Sequence, residues 1–116
     1  MTDETLKRFL VLYLIPAQVI DEWRKTDPET RQAAEEKMRA EWIDWTRDHA
    51  KMILSTDAGG KTIRVSSSGV SATRNDITLV SFIEAESHEA AAQAFEHHPH
   101  LQIPQSSIEV MYVRQM

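Results

Sequence analysis

The chain of 116 residues contains no cysteine. Without thiols it can form neither a disulfide nor a thiolate metal site, and it has no cysteine nucleophile. It contains only three glycines and four prolines, so few positions interrupt regular structure. No apolar run approaches the roughly 18 residues that a membrane-spanning helix needs. These absences argue against a disulfide scaffold and predict that the protein has no membrane partner.

The chain also lacks an excess of positive charge, with 13 Lys and Arg against 18 Asp and Glu and a net charge of −5. A surface that binds nucleic acid needs clustered basic residues facing the phosphates. Here acids and bases alternate, as in residues 35–41, which predicts a solvated helix face with ion pairs. We therefore expect no nucleic-acid partner. The acidic start Met1–Glu4 differs from the basic start of a secretory signal, so we expect a cytoplasmic protein.

Apolar patterning predicts one α+β domain over residues 1–116 with four strands. The predicted strands are Lys7–Ile15, a second near Lys61–Ser66, Ile77–Ala85 and Ile108–Arg114. The first, third and fourth of these are apolar on both faces, which indicates that both faces are covered. The loop before the second strand is assigned to Asp57–Gly60.

Two helices are predicted between these strands. The first begins at Thr26 or Asp27, either of which can act as N-cap, and runs to about Ile53 with a kink or break near residues 47–50. The second begins after the N-cap Ser87 and runs to about residue 97.

This order of elements predicts a ferredoxin-like βαββαβ fold, a four-stranded antiparallel sheet with two helices on one face. Two helices cover one face of the sheet only, whereas three strands are apolar on both. The second face needs another cover, and a second copy of the chain is the simplest one. We therefore expect a homodimer with the two sheets packed face to face.

The run Ser87–Arg114 joins an Ala-rich helix, the histidine-rich residues 97–101 and a final strand, and residues 42–45 read Trp-Ile-Asp-Trp. In these features the chain resembles the YCII-related family, also called DGPF. The resemblance implies a dimeric α/β barrel. It does not carry over the family's proposed His–Asp chemistry, because Glu41 stands in the place of the histidine. The Asp-Gly-Pro-Phe signature is also replaced, by Asp57–Gly60.

His98 and His100 form, with His97, the densest group of titratable nitrogens in the chain. Histidine can act as general acid, general base or metal ligand. His97 and His98 are adjacent on a helix and diverge by about 100°, so we predict no metal site. Two interpretations stay open for the group: His98 or His100 lies in a ligand pocket, or the histidines only stabilise a helix C-terminus.

Four further side chains are candidates for a ligand pocket. His49, Trp42 and Trp45 lie on the apolar stripe of the first helix, and Tyr13 lies on the first strand. Each has an alternative role in the core, His49 as a ring bonded to a backbone carbonyl and the tryptophans as core or interface. Glu41 and Asp44, three apart, are read as solvated surface.

These residues predict a homodimeric domain that binds a small apolar or aromatic metabolite without a cofactor. The alternative is a cofactor-independent enzyme acting by proton transfer on a small cyclic or aromatic compound. His98, His100 or His49 would then be the base, with Tyr13 or Arg64 orienting it. A purely structural interaction partner is a third hypothesis.

Overall fold

The computed structural model describes residues 6–116, and the acidic segment Met1–Glu4 lies outside the described residues. The strands are Lys7–Leu14 (β1), Ile53–Ala58 (β2), Thr62–Ser66 (β3), Gly69–Thr73 (β4), Ile77–Ala85 (β5) and Ser107–Val113 (β6). The helices are Ala17–Arg24 (α1), Pro28–Asp48 (α2) and His88–Gln93 (α3), and a 3₁₀ turn spans Pro99–Gln102. In this described part of the chain, every helix is too short or too polar to cross a membrane.

Four strands form one antiparallel sheet in the order β2-β5-β1-β6, with β1 and β5 in the centre. This order, with helices between the strands on one side of the sheet, is the ferredoxin-like arrangement. The predicted α+β fold is therefore confirmed. The predicted strands Lys7–Ile15, Ile77–Ala85 and Ile108–Arg114 agree with β1, β5 and β6 to within one residue.

Alternation along β1 divides its side chains between the two faces of the sheet. Phe9, Val11 and Tyr13 are buried on the face covered by helices, where they pack with Trp45 and Phe95. The leucines between them point to the opposite face and are only half-buried. The core of the molecule therefore lies on one side of the sheet.

Both predicted helix starts have the expected caps. Asp27 accepts a hydrogen bond from the backbone N–H of Thr30 at 3.0 Å, and Pro28 occupies the first helical position of α2. The side chain of Ser87 likewise accepts from the backbone N–H of Ala90 at 3.0 Å and begins α3. Local side-chain chemistry thus fixes where the two helices begin.

The predicted extension of the first long helix to about Ile53 is wrong. α2 ends at Asp48, within the stretch 47–50 where a break was expected, and Ile53 is the first residue of β2. At this end the ring Nδ1 of His49 donates to the carbonyl oxygen of Trp45 at 2.8 Å. The same carbonyl oxygen accepts from the backbone N–H of His49 at 3.1 Å, so the ring adds a second bond to the last turn of the helix.

The predicted second strand exists but pairs in a different place. β3 pairs with β4 in a hairpin separate from the main sheet, and the second strand of the sheet is β2. Gly69, at the hairpin turn, has a φ of +131°, a conformation that favours glycine. Ile63, Val65 and Val70 on this hairpin are 66%, 77% and 69% exposed, so its apolar side chains are uncovered within residues 6–116.

α1 is an element that the sequence analysis did not predict. It follows Pro16, which gives it no side-chain cap, and none of its residues is buried. Polar contacts hold it in place: Arg74 bonds to Asp21 Oδ1 at 3.0 Å and to the carbonyl oxygen of Ala17 at 3.3 Å. This short helix forms one wall of the cavity described below.

Candidate functional site

His98 lies at the centre of a group of aromatic rings that fills the core between α2 and the sheet. Its ring centroid is 4.3 Å from that of Trp42, 4.4 Å from Trp45, 5.4 Å from Tyr13 and 5.8 Å from Phe95. The His98 side chain is 1% exposed. We call these four residues and His98 the aromatic cluster. It contains four of the six side chains that the sequence analysis proposed for a pocket.

The two ring nitrogens of His98 have different surroundings. Nδ1 accepts a hydrogen bond from the backbone N–H of His100 at 3.0 Å, so the neutral ring carries its proton on Nε2. Nε2 is buried without a hydrogen-bond partner and is surrounded by aromatic rings, whose faces are weak acceptors. Burial first, and then the nearby His100 and His49, lower the pKa of His98 to about 4. The ring is therefore neutral at physiological pH.

His100 ties the 3₁₀ turn to the first strand. Its Nε2 donates to the carbonyl oxygen of Leu14 at 3.0 Å, and its own carbonyl accepts from the hydroxyl of Ser106 at 2.9 Å. Burial lowers the pKa of His100, and hydrogen bonds to the backbone of Leu14 and Ser107 oppose that change. These contacts give His100 a role in joining β1 to the turn before β6.

His49 is at the end of α2, where its ring stacks on Trp45 with centroids 4.1 Å apart. Its Nδ1 bond to the backbone is the alternative that the sequence analysis weighed against a pocket role. His97, by contrast, is exposed, so the two adjacent histidines diverge as expected. Among residues 6–116 no three His, Cys, Asp or Glu side chains group closely enough to hold a metal ion.

Three hydroxyl groups form a hydrogen-bonded chain that starts at Tyr13 in the aromatic cluster and runs from β1 to β5 and on to β2. The phenol of Tyr13 is 3.0 Å from Ser81 Oγ, and Ser81 Oγ is 2.7 Å from Thr56 Oγ1. Tyr13 and Ser81 are buried, whereas Thr56 is exposed. Burial raises the pKa of Tyr13, and the Ser81 bond opposes that change, so the phenol keeps its proton. We call these three residues the hydroxyl chain.

Thr56 lines a cavity of about 860 Å³ that lies between α1, α2 and the β2 side of the sheet. Its walls are mostly apolar and include Ile15, Ile20, Trp23, Met38, Trp42 and Leu79. Its polar groups include Glu22, Thr26, Glu35, Arg39 and Thr56, which are at or near the solvent-facing side. The volume lies within the range found for small-molecule sites. Apolar walls with a few polar groups are also typical of such sites.

Trp42 belongs both to the aromatic cluster and to the wall of this cavity. It lines the cavity and also lies 5.4 Å, centroid to centroid, from Tyr13. Of the six side chains proposed from sequence, Trp42 alone is among the residues that line the cavity. The others, Tyr13, Trp45, His49, His98 and His100, pack in or beside the core behind it.

The α1 wall is attached to α2 by two polar contacts. Trp23 Nε1 donates to Glu35 Oε2 at 3.2 Å, and Arg31 Nη1 donates to the carbonyl oxygen of Arg24 at 3.0 Å. Because no residue of α1 is buried, this wall depends on such contacts and not on core packing. The cavity therefore has one firmly packed side and one side held by exposed hydrogen bonds.

Glu41 and Asp44 lie away from this cavity. Glu41 accepts from Gln102 Nε2 at 2.9 Å, and Asp44 forms an exposed ion pair with Arg47. The carboxylate pair is thus divided between two different contacts. Arg64, proposed as an orienting group, is on the separate hairpin.

The residues that sequence reasoning missed are those contributed by α1 and β2. Val19, Ile20 and Trp23 have the spacing of one helix face, which was a usable signal once a helix after Pro16 was considered. Thr56 had no such signal, because the helical apolar stripe of α2 continues in the sequence up to Ile53 and conceals the start of β2. Its place beside Ser81 depends on the pairing of β2 with β5.

No protein family model matches the chain, and no curated protein matches it. Its resemblance to the YCII-related family therefore stays a prediction. Among solved structures, a 5-chloro-2-hydroxyhydroquinone dehydrochlorinase from Burkholderia phenoliruptrix AC1100, in complex with 2,5-dihydroxybenzoquinone, is 15% identical with a TM-score of 0.46. That comparison covers 94% of this chain and 93% of the other.

Two further solved structures are more distant. A hydantoinase/carbamoylase family amidase from Burkholderia ambifaria is 16% identical, with a TM-score of 0.38, over 96% of this chain and 28% of the amidase. A putative antibiotic biosynthesis monooxygenase from Bacillus cereus is 15% identical, with a TM-score of 0.27, over 96% and 93% of the two chains. At these TM-scores the likenesses carry no statement about the activity of this chain.

Proposed function

We propose that the protein is a homodimer that binds a small apolar or aromatic compound in the cavity between α1, α2 and the sheet. The observation that supports this function is the cavity itself. Its volume is about 860 Å³, and Trp23, Trp42 and aliphatic side chains form its walls. Aromatic and aliphatic walls of this kind bind an apolar ligand by removing its surface from water.

Acid–base catalysis receives less support from the same geometry. None of the three histidines proposed as the base lines the cavity, and its two carboxylates, Glu22 and Glu35, already accept hydrogen bonds from Gln18 and Trp23. His98 and His100 lie behind Trp42, and backbone groups occupy His98 Nδ1 and His100 Nε2. A general base must come within hydrogen-bond reach of the proton that it removes. Binding without chemistry is therefore the function that we propose.

Filling the cavity is expected to abolish binding. Ala34 lines it from α2, whereas Ala33, the preceding residue, is exposed and does not line it. Ala34→Phe adds a ring to the space that a ligand would occupy, and we expect the affinity for indane, a small bicyclic hydrocarbon, to fall at least tenfold. The measurement is quenching of tryptophan fluorescence, since Trp23 and Trp42 face the cavity.

Ala33→Phe is the matched control, because it adds the same ring one position away, and it should bind indane as the wild type does. Equal loss of binding in both variants would show that the effect is not specific to the cavity. No saturable binding of indane by the wild type would contradict the proposed function.

The proposed dimer interface is the face of the sheet opposite the helices. Leu10, Leu12 and Leu14 point to this face together with Val80 and Phe82, and all five are half-buried. The molecule measures 51 × 44 × 19 Å. Its smallest dimension corresponds to one sheet layer and one helix layer. A flat two-layer molecule with an apolar outer face is suited to packing on a second copy of itself.

Surface area gives a second reason for the dimer. The accessible surface is 8617 Å², whereas a compact monomer of 13.3 kDa exposes roughly 6,450 Å². The radius of gyration is 16.4 Å, against about 13.4 Å for a compact chain of this length. The exposed β3–β4 hairpin contributes to this excess of about 2,000 Å², which is larger than the ~800 Å² that each partner buries in a standard interface.

We expect sedimentation equilibrium to find a dimer at micromolar concentration. Leu12→Lys puts a charge in the middle of the proposed interface and should convert the protein to a monomer, because an unpaired buried charge is unfavourable. Leu101→Lys, an identical change at an exposed leucine of the 3₁₀ turn, should leave the dimer intact. A wild type that is a folded monomer at this concentration would overturn the dimer.

A further inference from the structure

The hydroxyl chain has a fixed direction, and that direction determines what Thr56 offers to a ligand. Tyr13 and Ser81 are both buried, so each hydroxyl proton needs an acceptor within the protein. The hydrogen-bond partner of the Tyr13 phenol in the described structure is Ser81 Oγ, so the phenol donates to Ser81. The first bond of the chain therefore runs outward from the core.

The second bond follows from the first. If Thr56 donated to Ser81, the Ser81 proton would be left buried without an acceptor. If Ser81 donates to Thr56 Oγ1, at 2.7 Å, both buried protons are satisfied. The Thr56 hydroxyl then has no acceptor for its own proton among residues 6–116, and Thr56 is the exposed member of the chain that lines the cavity. The chain thus ends as a donor that faces the cavity.

We propose that this donor selects the ligand, and that the cavity binds a neutral aromatic or alicyclic compound whose ring carries a carbonyl oxygen at Thr56. The inference rests on the proposed function, because it assigns a ligand class to the same cavity. A ligand acceptor complements this donor, because the hydroxyl chain is polarised outward. In such a chain each bond strengthens the next, so Thr56 is a better donor than an isolated threonine.

The charges around the cavity favour a neutral carbonyl over a carboxylate. Among the described residues, Glu22, Glu35 and one cation, Arg39, line it, so these charged groups sum to a negative value. An anionic ligand would meet net repulsion there. Trp23 Nε1 does not compete as a donor for the ligand, because it is bonded to Glu35.

Two probes that differ by one carbonyl test this assignment. Indane and 1-indanone have the same fused rings, and only 1-indanone carries an acceptor. The quantity to measure in each variant is the ratio of the dissociation constant of indane to that of 1-indanone, which rises with the preference for 1-indanone. Comparing this ratio between variants cancels the different hydrophobicity of the two probes. Thr56→Val removes the hydroxyl at nearly constant volume, and we expect it to reduce the preference for 1-indanone about fivefold.

Two further variants make the test specific. Thr56→Ser keeps a hydroxyl at the same position and should restore the wild-type ratio. Thr26→Val removes the hydroxyl of another threonine that lines the cavity, outside the hydroxyl chain, and should leave the ratio unchanged. Thr56→Val also leaves the buried Ser81 proton without its acceptor, so we expect some loss of stability, and thermal unfolding of each variant establishes that it is folded under the binding conditions.

The outcomes separate this inference from the proposed function. If the wild type binds indane but Thr56→Val leaves the ratio unchanged, the carbonyl assignment is wrong and the cavity still binds ligands. If Thr26→Val lowers the ratio instead, the acceptor is bound elsewhere and the role of the hydroxyl chain is overturned. If the wild type binds neither probe, the proposed function fails and this inference fails with it.

Discussion

Lowering the pH from about 7.5 to about 5 is expected to reduce the free energy of unfolding by about 2 kcal/mol through His98 alone. The pKa of this buried ring is about 4 in the folded protein, against an ordinary value of 6.5. Between those values the unfolded chain binds more protons than the folded chain, so acid favours unfolding. The contribution of His98 is complete above pH 6.5 and is lost as the pH falls towards 4. His100, whose pKa is also lowered, acts in the same direction.

The measurement is urea unfolding at a series of pH values. His98→Asn removes the titrating ring but keeps an acceptor for the backbone N–H of His100, so the curve of stability against pH should become flatter. His97→Asn changes the exposed neighbour and should leave the slope as it is. An unchanged slope in His98→Asn would show that the pH dependence comes from other groups.

Replacing Trp45 with alanine is expected to destabilise the protein by about 3–5 kcal/mol, the range for removing a buried aromatic side chain. Trp45 is 8% exposed, packs against Phe95 and His98, and donates from Nε1 to the carbonyl oxygen of Ala94 at 3.3 Å. The substitution would leave a cavity and an unpaired carbonyl beside it. Chemical denaturation gives the change in free energy directly.

Trp23→Ala is the comparison, because Trp23 is 37% exposed on α1 and lines the ligand cavity. We expect it to lower stability by less than about 1 kcal/mol and to weaken indane binding instead. Similar stability losses in the two variants would contradict the division of the tryptophans between core and cavity wall.

Local signals in the sequence were sufficient for much of the fold. β5 was predicted at the observed bounds because a run of apolar residues is enclosed by Asn75-Asp76 and the cap Ser87. The sequence likewise offered Thr26 and Asp27 as caps for the first long helix, and Asp27 before Pro28 is the one that begins α2. In each case the residues that determine the structure are neighbours in the chain, so a reading of the sequence finds them.

The elements that were missed depend on contacts between distant residues. The stretch Ile53–Ala58 becomes a strand through its pairing with β5, which nothing in its own composition specifies. The hydroxyl chain needs that pairing too, because Thr56 meets Ser81 only in this register. The predicted pocket was placed beside His98, whereas the cavity lies on the other side of Trp42. The position of Trp42 between His98 and the cavity depends on tertiary packing, which the sequence did not show.

The position of β1 in the centre of the sheet has a consequence for synthesis of the chain. β1 is made first, and its partners β5 and β6 emerge from the ribosome about 65 and 95 residues later. Until then this apolar strand has neither of its neighbours, and α2, which is made in between, has no completed sheet to pack on. Folding of the sheet therefore waits until β5 and β6 have been made, and the nascent protein passes through a period in which this apolar strand is open to other chains.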